Sequence, residues 1–144
     1  MPRVLKFRAW GPNIKRMWSH KELLENNTTY AFLASPGHGE RIIMQFTGLL
    51  DCRGKEVYEG DILRAKEYNE FWDDGAIGDV TFEDGSFRFN WKILLAKSGK
   101  KDYRKPISTI CSSAGYNSDK RDGGIKVIGN LYEHPHLMTP LAPR

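Results

Sequence analysis

Apolar and polar residues alternate along the first ten positions of the chain. In VLKFRAW, residues 4–10, the side chains at positions 5, 7 and 9 fall on one side of an extended chain and those at 6, 8 and 10 on the other. A period of two is typical of a strand that buries one face. Gly11 and Pro12 then favour a turn, and residues 14–18 are predicted to return as the second strand of a hairpin.

The hairpin is followed by the signals of a helix start. Ser19 and Glu22 stand three positions apart, the spacing of a capping box, in which each side chain bonds to the backbone N–H of the other residue. Trp18 and Leu23 occupy the positions of a hydrophobic staple. These signals predict a short helix over residues 20–25, which the two following asparagines close.

Further strands are predicted up to the middle of the chain. TTYAFLA, residues 28–34, is rich in β-branched and aromatic residues, and RIIMQFT, residues 41–47, follows after a loop over 35–40. KEVY, residues 55–58, and ILRA, residues 62–65, continue the series of short strands.

Two turns that combine glycine with an acid separate these later strands. In the first turn, Asp51 is suited to accept hydrogen bonds from backbone amides, and Gly54 ends the turn. In the second, Gly60 precedes Asp61, and we expect Gly60 to adopt a backbone conformation that would cost another residue about 1 kcal/mol or more. We interpret all four residues as structural, because turn chemistry accounts for each of them.

The second half of the chain contains the clearest hairpin. Apolar and polar side chains alternate through residues 78–91 on either side of Asp84 and Gly85, a pair that is typical of a tight hairpin turn. A last strand is predicted up to Ile128. We expect it to be followed by a turn of helix that Pro135 ends, because proline cannot continue a helix.

Short strands at close spacing predict a mainly β fold with a small helical part, of the α+β class. We expect an N-terminal subdomain over residues 1–54, built from the β-hairpin, further strands and one short helix. A small, five-stranded, SH3-like barrel is predicted over residues 55–134, followed by a tail over 135–144. Between residues 97 and 123 the chain is rich in Ser, Gly, Lys and Asp, which indicates a long polar insertion between two barrel strands.

The composition is that of a globular protein, and it argues against a membrane protein, a secreted protein and a metal-binding protein. Of the 144 residues, 40% are hydrophobic. No apolar run approaches the roughly 20 residues of a membrane span, and the N-terminus lacks the apolar segment of a secretion signal, so we expect a cytoplasmic protein. The two cysteines, Cys52 and Cys111, form no metal-binding motif, and we expect no metal and no cofactor.

Four segments of the chain, in order, resemble those of one protein family. They are KFRAW at 6–10, MQFTGL at 44–49, GKEVYEGDI at 54–62 and VIGNLYEHP at 127–135. With these segments the chain resembles the YopX family. The resemblance implies a protein encoded by a bacteriophage or by a prophage of a bacterial host, with an SH3-like C-terminal domain and no established biochemical role. No catalytic residue follows from it.

Charged residues are unevenly distributed along a chain whose net charge is +4. Residues 67–84 carry seven acids and no Lys or Arg, whereas residues 92–105 carry six cations and one acid. The basic run, which includes an aromatic side chain suited to stacking on a base, predicts an alternative function, nucleic-acid binding. Its candidate residues are Lys92, Lys97, Lys100, Lys101, Tyr103, Arg104 and Lys105. A second interpretation is that the two runs pair with each other across the barrel.

The leading hypothesis from the sequence is a non-enzymatic module that binds a protein. Phe71 and Trp72 lie among acids in NEFWDDG, residues 69–75, where exposed aromatic side chains are typical of a protein-binding hot spot. The alternative interpretation is that they pack onto the mouth of the barrel. The partner would be an unknown phage or host protein, and self-association stays open. An enzymatic function would require Asp73, Asp74 or a histidine to converge on an ion bound in a pocket.

Overall fold

The structure, a computed structural model, describes residues 4–25, 41–65, 76–95, 101–102, 107–110 and 124–138. Within this part the fold is mainly β, with two antiparallel sheets, one of which curls into a half-barrel. The predicted class, mainly β with a small barrel, is confirmed. In the described residues no helix has the length and apolar character needed to cross a membrane.

The first sheet has four strands and is accompanied by one short helix. Its elements are β1 (Phe7–Gly11), β2 (Arg16–Trp18), α1 (His20–Glu25), β3 (Ile42–Leu50) and β4 (Glu56–Tyr58). The strand order is β2-β1-β3-β4. The predicted first hairpin is confirmed by the pairing of β1 with β2, although β2 is shorter than predicted because residues 12–15 form the turn.

The second sheet has six strands and contains the predicted hairpin of the second half. Its strands are β5 (Asp61–Ala65), β6 (Ala76–Glu83), β7 (Ser86–Leu95), β8 (Lys101–Asp102), β9 (Ile107–Ile110) and β10 (Ile125–Asn130). The order is β10-β5-β6-β7-β8, with β9 also paired to β7. Both β8 and β9 fall within the predicted insertion, where the sequence analysis expected no strand.

Strand β4 contributes to both parts of the fold. KEVY, residues 55–58, was predicted as the first strand of the barrel; Tyr58 pairs with Phe46 of the first sheet, whereas Val57 packs in the core cluster with residues of the second sheet. The chain crosses from one sheet to the other at Glu59 and Gly60. The position of β4 is determined by its pairing with β3. The alternation of apolar and polar residues within β4 does not indicate which strand it pairs with.

Helix α1 has the predicted bounds and the predicted cap. The Ser19 N–H and hydroxyl donate to the Glu22 carboxylate at 2.8 and 3.0 Å, and the Glu22 N–H donates to the Ser19 hydroxyl at 3.3 Å. This is the reciprocal arrangement of a capping box. Leu23 is the buried residue of the helix.

The hairpin of β6 and β7 supplies much of the core. Asp84 and Gly85 have φ values of 50° and 75°, as a turn with two left-handed residues requires. Val80, Phe89 and Trp91 point into the core cluster and are at most 2% exposed. The alternation predicted on either side of the turn therefore selects these buried side chains correctly.

Strand β1 was predicted to bury one face, and this is wrong. Ala9 is fully buried and its neighbour Trp10 is only 8% exposed, although the two side chains point to opposite faces. Trp10 stacks on Tyr132, with 6.1 Å between the ring centroids. The turn after β10 thus covers the second face of β1, a contact that the sequence pattern does not encode.

The C-terminal turn also differs from the prediction. Strand β10 continues to Asn130, and Pro135 begins a 3₁₀ helix (Pro135–Met138) instead of ending one. Proline suits the first helical position, because its missing N–H would have no acceptor within the helix. The Asn130 side-chain oxygen accepts from the backbone N–H groups of Tyr132 and Glu133, at 3.1 and 2.8 Å, and closes the preceding turn.

Candidate functional site

A cleft lies between helix α1 and the neighbouring strands of the first sheet. Its volume is about 530 Å³. It is lined among others by Lys6, Arg8, His20, Leu24, Glu56 and Tyr58, and we call it the helix cleft. Four of them are placed by β1, with the residue before it, and by β4, since positions 6 and 8 share one face of an extended chain, as do positions 56 and 58.

One side of the helix cleft is built on an ion pair. The Lys6 ammonium contacts the Glu56 carboxylate, which also accepts a hydrogen bond from the Tyr58 hydroxyl at 2.9 Å. The hydrogen bond from Lys6, followed by that from Tyr58, holds the pKa of Glu56 below its usual value against the opposing effect of burial. Lys6 also lies over the ring of Phe46, 5.6 Å from its centroid. These contacts fix Lys6 in place.

A second, more deeply buried ion pair lies beside the first. The Arg8 guanidinium donates to the Asp61 carboxylate at 2.7 Å and to the Glu59 carbonyl at 3.1 Å, and it lies over the Tyr58 ring at 4.8 Å. Asp61 is 1% exposed and also accepts the Tyr58 N–H at 2.8 Å. Burial raises the pKa of Asp61, and the charge of Arg8 opposes that rise.

The helix supplies the opposite wall of the helix cleft. His20 Nδ1 accepts the Phe7 N–H at 3.2 Å, which fixes the orientation of the ring. Leu24 is an apolar side chain that remains 58% exposed. The cleft therefore combines an exposed apolar wall with charged groups that internal contacts hold in position.

The second glycine–acid turn joins the two sheets. Gly60 has a φ of 77°; its N–H donates to the Val80 carbonyl at 2.9 Å, and its carbonyl accepts the Leu131 N–H at 2.8 Å. The turn thus fixes the start of β5 against β6 and against the turn after β10. Asp61 stands directly after Gly60, which positions its carboxylate for Arg8.

The first glycine–acid turn covers the outer edge of β10. The buried Asp51 carboxylate accepts N–H groups of Arg53, Lys55 and Val127 at 2.8, 2.9 and 3.0 Å. The Cys52 N–H donates to the Ile125 carbonyl at 2.9 Å. Burial alone would raise the pKa of Asp51, but these three donors together hold it below its usual value. Gly54, with a φ of 82°, ends the turn.

The candidates for nucleic-acid binding are only partly within the described residues. The Lys92 ammonium contacts the Asp79 carboxylate at 2.7 Å, an ion pair between the basic and the acidic run. For Lys101 the structure gives the backbone, as part of β8. The other basic-run candidates lie outside the described residues: Lys97, Lys100, Tyr103, Arg104 and Lys105.

Phe71 and Trp72, the candidate protein-binding residues, also lie outside the described residues, as do Asp73 and Asp74. In the part of the chain that the structure describes, no group of three or more His, Cys, Asp or Glu side chains is arranged to hold a metal ion.

Sequence reasoning did not identify the helix cleft. The available signal was a spacing of two residues. It places Lys6 and Arg8 on one face of the predicted first strand, and Glu56 and Tyr58 on one face of the strand predicted at 55–58. Their partners, however, lie about fifty positions away, since Lys6 pairs with Glu56 and Arg8 pairs with Asp61. Only the pairing of distant strands brings them together.

Comparison with protein families accounts for nearly the whole chain. A family model described as YopX protein matches residues 6–139. The chain belongs to the YopX family. The match confirms the resemblance seen in the sequence, and it includes the helix cleft and both glycine–acid turns of this YopX protein.

Comparison with solved structures supports the fold. The YopX chain is similar to the crystal structure of protein EF1440 from Enterococcus faecalis, with a TM-score of 0.55 and 22% identity. The similarity covers 96% of this chain and 100% of that chain. At this level of identity the likeness extends to the fold alone. A search among curated proteins found no match.

Proposed function

We propose that this YopX protein is a non-enzymatic accessory protein of a phage or prophage that binds a protein partner, from the phage or from its bacterial host. The observation that supports this best is the helix cleft. It is a concave surface of about 530 Å³ with an apolar wall and a few fixed polar groups, and a pocket of this kind can hold an anchoring side chain of a partner.

The charged groups of the helix cleft support binding more than catalysis. Arg8 and Glu56 both make hydrogen bonds within the fold: Arg8 donates to Asp61 at the start of β5, and Glu56 accepts from the Tyr58 hydroxyl. A surface whose side chains are already fixed loses little conformational entropy when a partner binds. Leu24 supplies exposed apolar area beside this fixed polar surface.

Affinity capture from phage-infected cells tests the role of the helix cleft. We expect Leu24→Asp to lose the partner, because a charge on the apolar wall costs about 2 kcal/mol or more at a binding hot spot. The matched control is Ile14→Asp: Ile14 is 61% exposed, in the turn between β1 and β2. Equal capture by both variants and the unmodified protein would contradict the proposed site.

Phe71 and Trp72 provide a second test of protein binding. We expect Phe71→Ala combined with Trp72→Ala to abolish capture of the partner without lowering the melting temperature, since aromatic anchors often carry much of the binding energy. Unchanged capture would remove these two residues from the proposal.

Nucleic-acid binding is the second candidate function. It is favoured by the basic run at 92–105 and by the exposure of Lys92, whose side chain is 47% exposed in spite of its contact with Asp79. Lys100→Glu with Lys101→Glu is expected to abolish binding of labelled DNA or RNA, and the affinity of the unmodified protein is expected to fall steeply with salt. If the unmodified protein binds neither at low salt, this function is excluded.

A further inference from the structure

A second concave surface lies where the two sheets meet, and Glu59 and Gly60 of the connection between the sheets line it. This intersheet groove has a volume of about 350 Å³. It is lined among others by Ile42, Glu59, Phe82, Leu131 and Tyr132. Most of these side chains are apolar, and Phe82 remains 49% exposed. The groove is therefore an accessible surface of apolar and aromatic groups.

Glu59 gives this apolar groove a negative charge. Its carboxylate accepts the Gln45 N–H at 3.0 Å and makes no other hydrogen bond or ion pair within the described residues. Burial raises the pKa of Glu59, which shows that the hydrogen bond does not compensate for the loss of water around the carboxylate. A cation placed beside it would supply the missing compensation.

The other groups in the groove favour a cation as well. Among the described residues that line it, Glu83 is a second acid, and there is no Lys, Arg or His. Tyr132 is half-buried, and its ring is stacked on Trp10, which fixes its orientation. A carboxylate next to aromatic rings is the combination that binds a guanidinium, through paired hydrogen bonds and stacking.

We propose that the intersheet groove binds an arginine side chain of a protein partner, flanked by apolar residues of the same segment. Arginine fits better than lysine, because its planar, weakly hydrated guanidinium stacks on aromatic rings and pairs with a carboxylate at the same time. The inference rests on the proposed function in that the arginine belongs to a protein partner. It specifies which side chain of the partner is recognised, and it assigns a contact surface separate from the helix cleft.

An NMR titration with a pair of short peptides tests the groove directly. The probes are acetyl-leucyl-arginyl-leucinamide and the same peptide with citrulline, which has the shape of arginine but no charge. We expect the arginine peptide to shift the amide signals of Gly60 and Leu131, which line the groove and donate to the Val80 and Gly60 carbonyls. The citrulline peptide is expected to bind about tenfold more weakly, as for loss of a charge-assisted hydrogen bond.

Variants link the binding to the Glu59 carboxylate. Glu59→Gln is expected to bind the arginine peptide as weakly as the citrulline peptide, whereas Glu25→Gln, on the exposed end of α1, is expected to bind it as the unmodified protein does. The amide spectrum of Glu59→Gln shows whether its fold is retained; if it is not, the comparison of the two peptides on the unmodified protein decides alone.

Three results would overturn the inference: equal affinity for both peptides, shifts at Lys6 and His20 in place of the groove, or no shift at millimolar peptide. None of these results contradicts the helix cleft, which Leu24→Asp tests separately, so failure of the groove and failure of the proposed function can be told apart.

Discussion

At the scale of single residues, the Arg8–Asp61 pair shows how a buried charge becomes part of the fold. Asp61 is almost completely buried, and the Arg8 side chain is 13% exposed. Arg8 Nε is buried without a hydrogen-bond partner in the described residues, so the guanidinium depends on the carboxylate and on the Glu59 carbonyl. Removing one charge would leave the other buried without its partner, which is the costly way to break such a pair.

We therefore expect Asp61→Asn to lower the free energy of unfolding by about 3 kcal/mol, measured by denaturant titration. Asp84→Asn is the matched control. Asp84 also pairs with an arginine, Arg88, but its side chain is 84% exposed, so a change within about 0.5 kcal/mol is expected. If both variants lose the same amount, burial does not determine the value of the Arg8–Asp61 pair.

At the scale of elements, local signals predicted the structure where neighbouring residues decide it. The capping box of Ser19 and Glu22 and the Asp84–Gly85 turn lie within a few positions, and α1 and the β6–β7 hairpin were predicted correctly. Where a distant segment decides, prediction failed. Tyr58 is placed by Phe46, and Trp10 is buried by Tyr132. The helix cleft was missed for the same reason, because its ion pairs join β1 to residues near β4.

The two glycine–acid turns allow a comparison of how much stability is lost when the glycine of a turn is replaced by alanine. Gly54 and Gly60 have similar φ values, 82° and 77°, so alanine is strained in both. A Cβ on Gly54 would meet nothing within 4 Å, whereas one on Gly60 would lie 3.1 Å from both Met44 Sδ and Tyr132 Cε2. Gly54→Ala is expected to cost about 1 kcal/mol, and Gly60→Ala about 1 kcal/mol more.

Thermal and denaturant unfolding of both glycine variants measures this difference. Gly60→Ala would also move the Tyr132 ring, so its near-ultraviolet circular dichroism is expected to change, while that of Gly54→Ala stays as in the unmodified protein. Equal destabilisation would mean that the backbone conformation alone accounts for the glycine at position 60, and that the contacts with Met44 and Tyr132 adjust without cost.

At the scale of the whole molecule, Asp51 connects segments that are far apart in sequence. Its carboxylate binds its own turn and the Val127 N–H, and Arg53 adds a hydrogen bond to the Val127 carbonyl at 2.6 Å. Among the described residues, β10 is an edge strand of the second sheet. An open strand edge invites pairing with another chain, so covering this edge with a turn protects the molecule from association.

The pH dependence of stability tests this connection. Because the pKa of Asp51 is lower in the folded state, the unfolded chain binds more protons, and the contribution of Asp51 is present above its ordinary pKa of 3.8 and is lost as the pH falls through the folded value. Glu59 has a raised pKa, so its contribution is present below its ordinary pKa of 4.5 and is lost as the pH rises through the folded value. The two effects therefore fall in different pH ranges.

We expect Asp51→Asn to be less stable than the unmodified protein at pH 7, by about 2 kcal/mol. The asparagine side chain has one acceptor oxygen, whereas the N–H donors of the turn and of Val127 bond to the two oxygens of the carboxylate. Between pH 4 and pH 2 the unmodified protein should lose more stability than this variant, and the two curves should converge. Urea titrations across this range measure the difference, with Asp84→Asn as the exposed control. Parallel curves would show that the Asp51 carboxylate does not hold β10 through its charge.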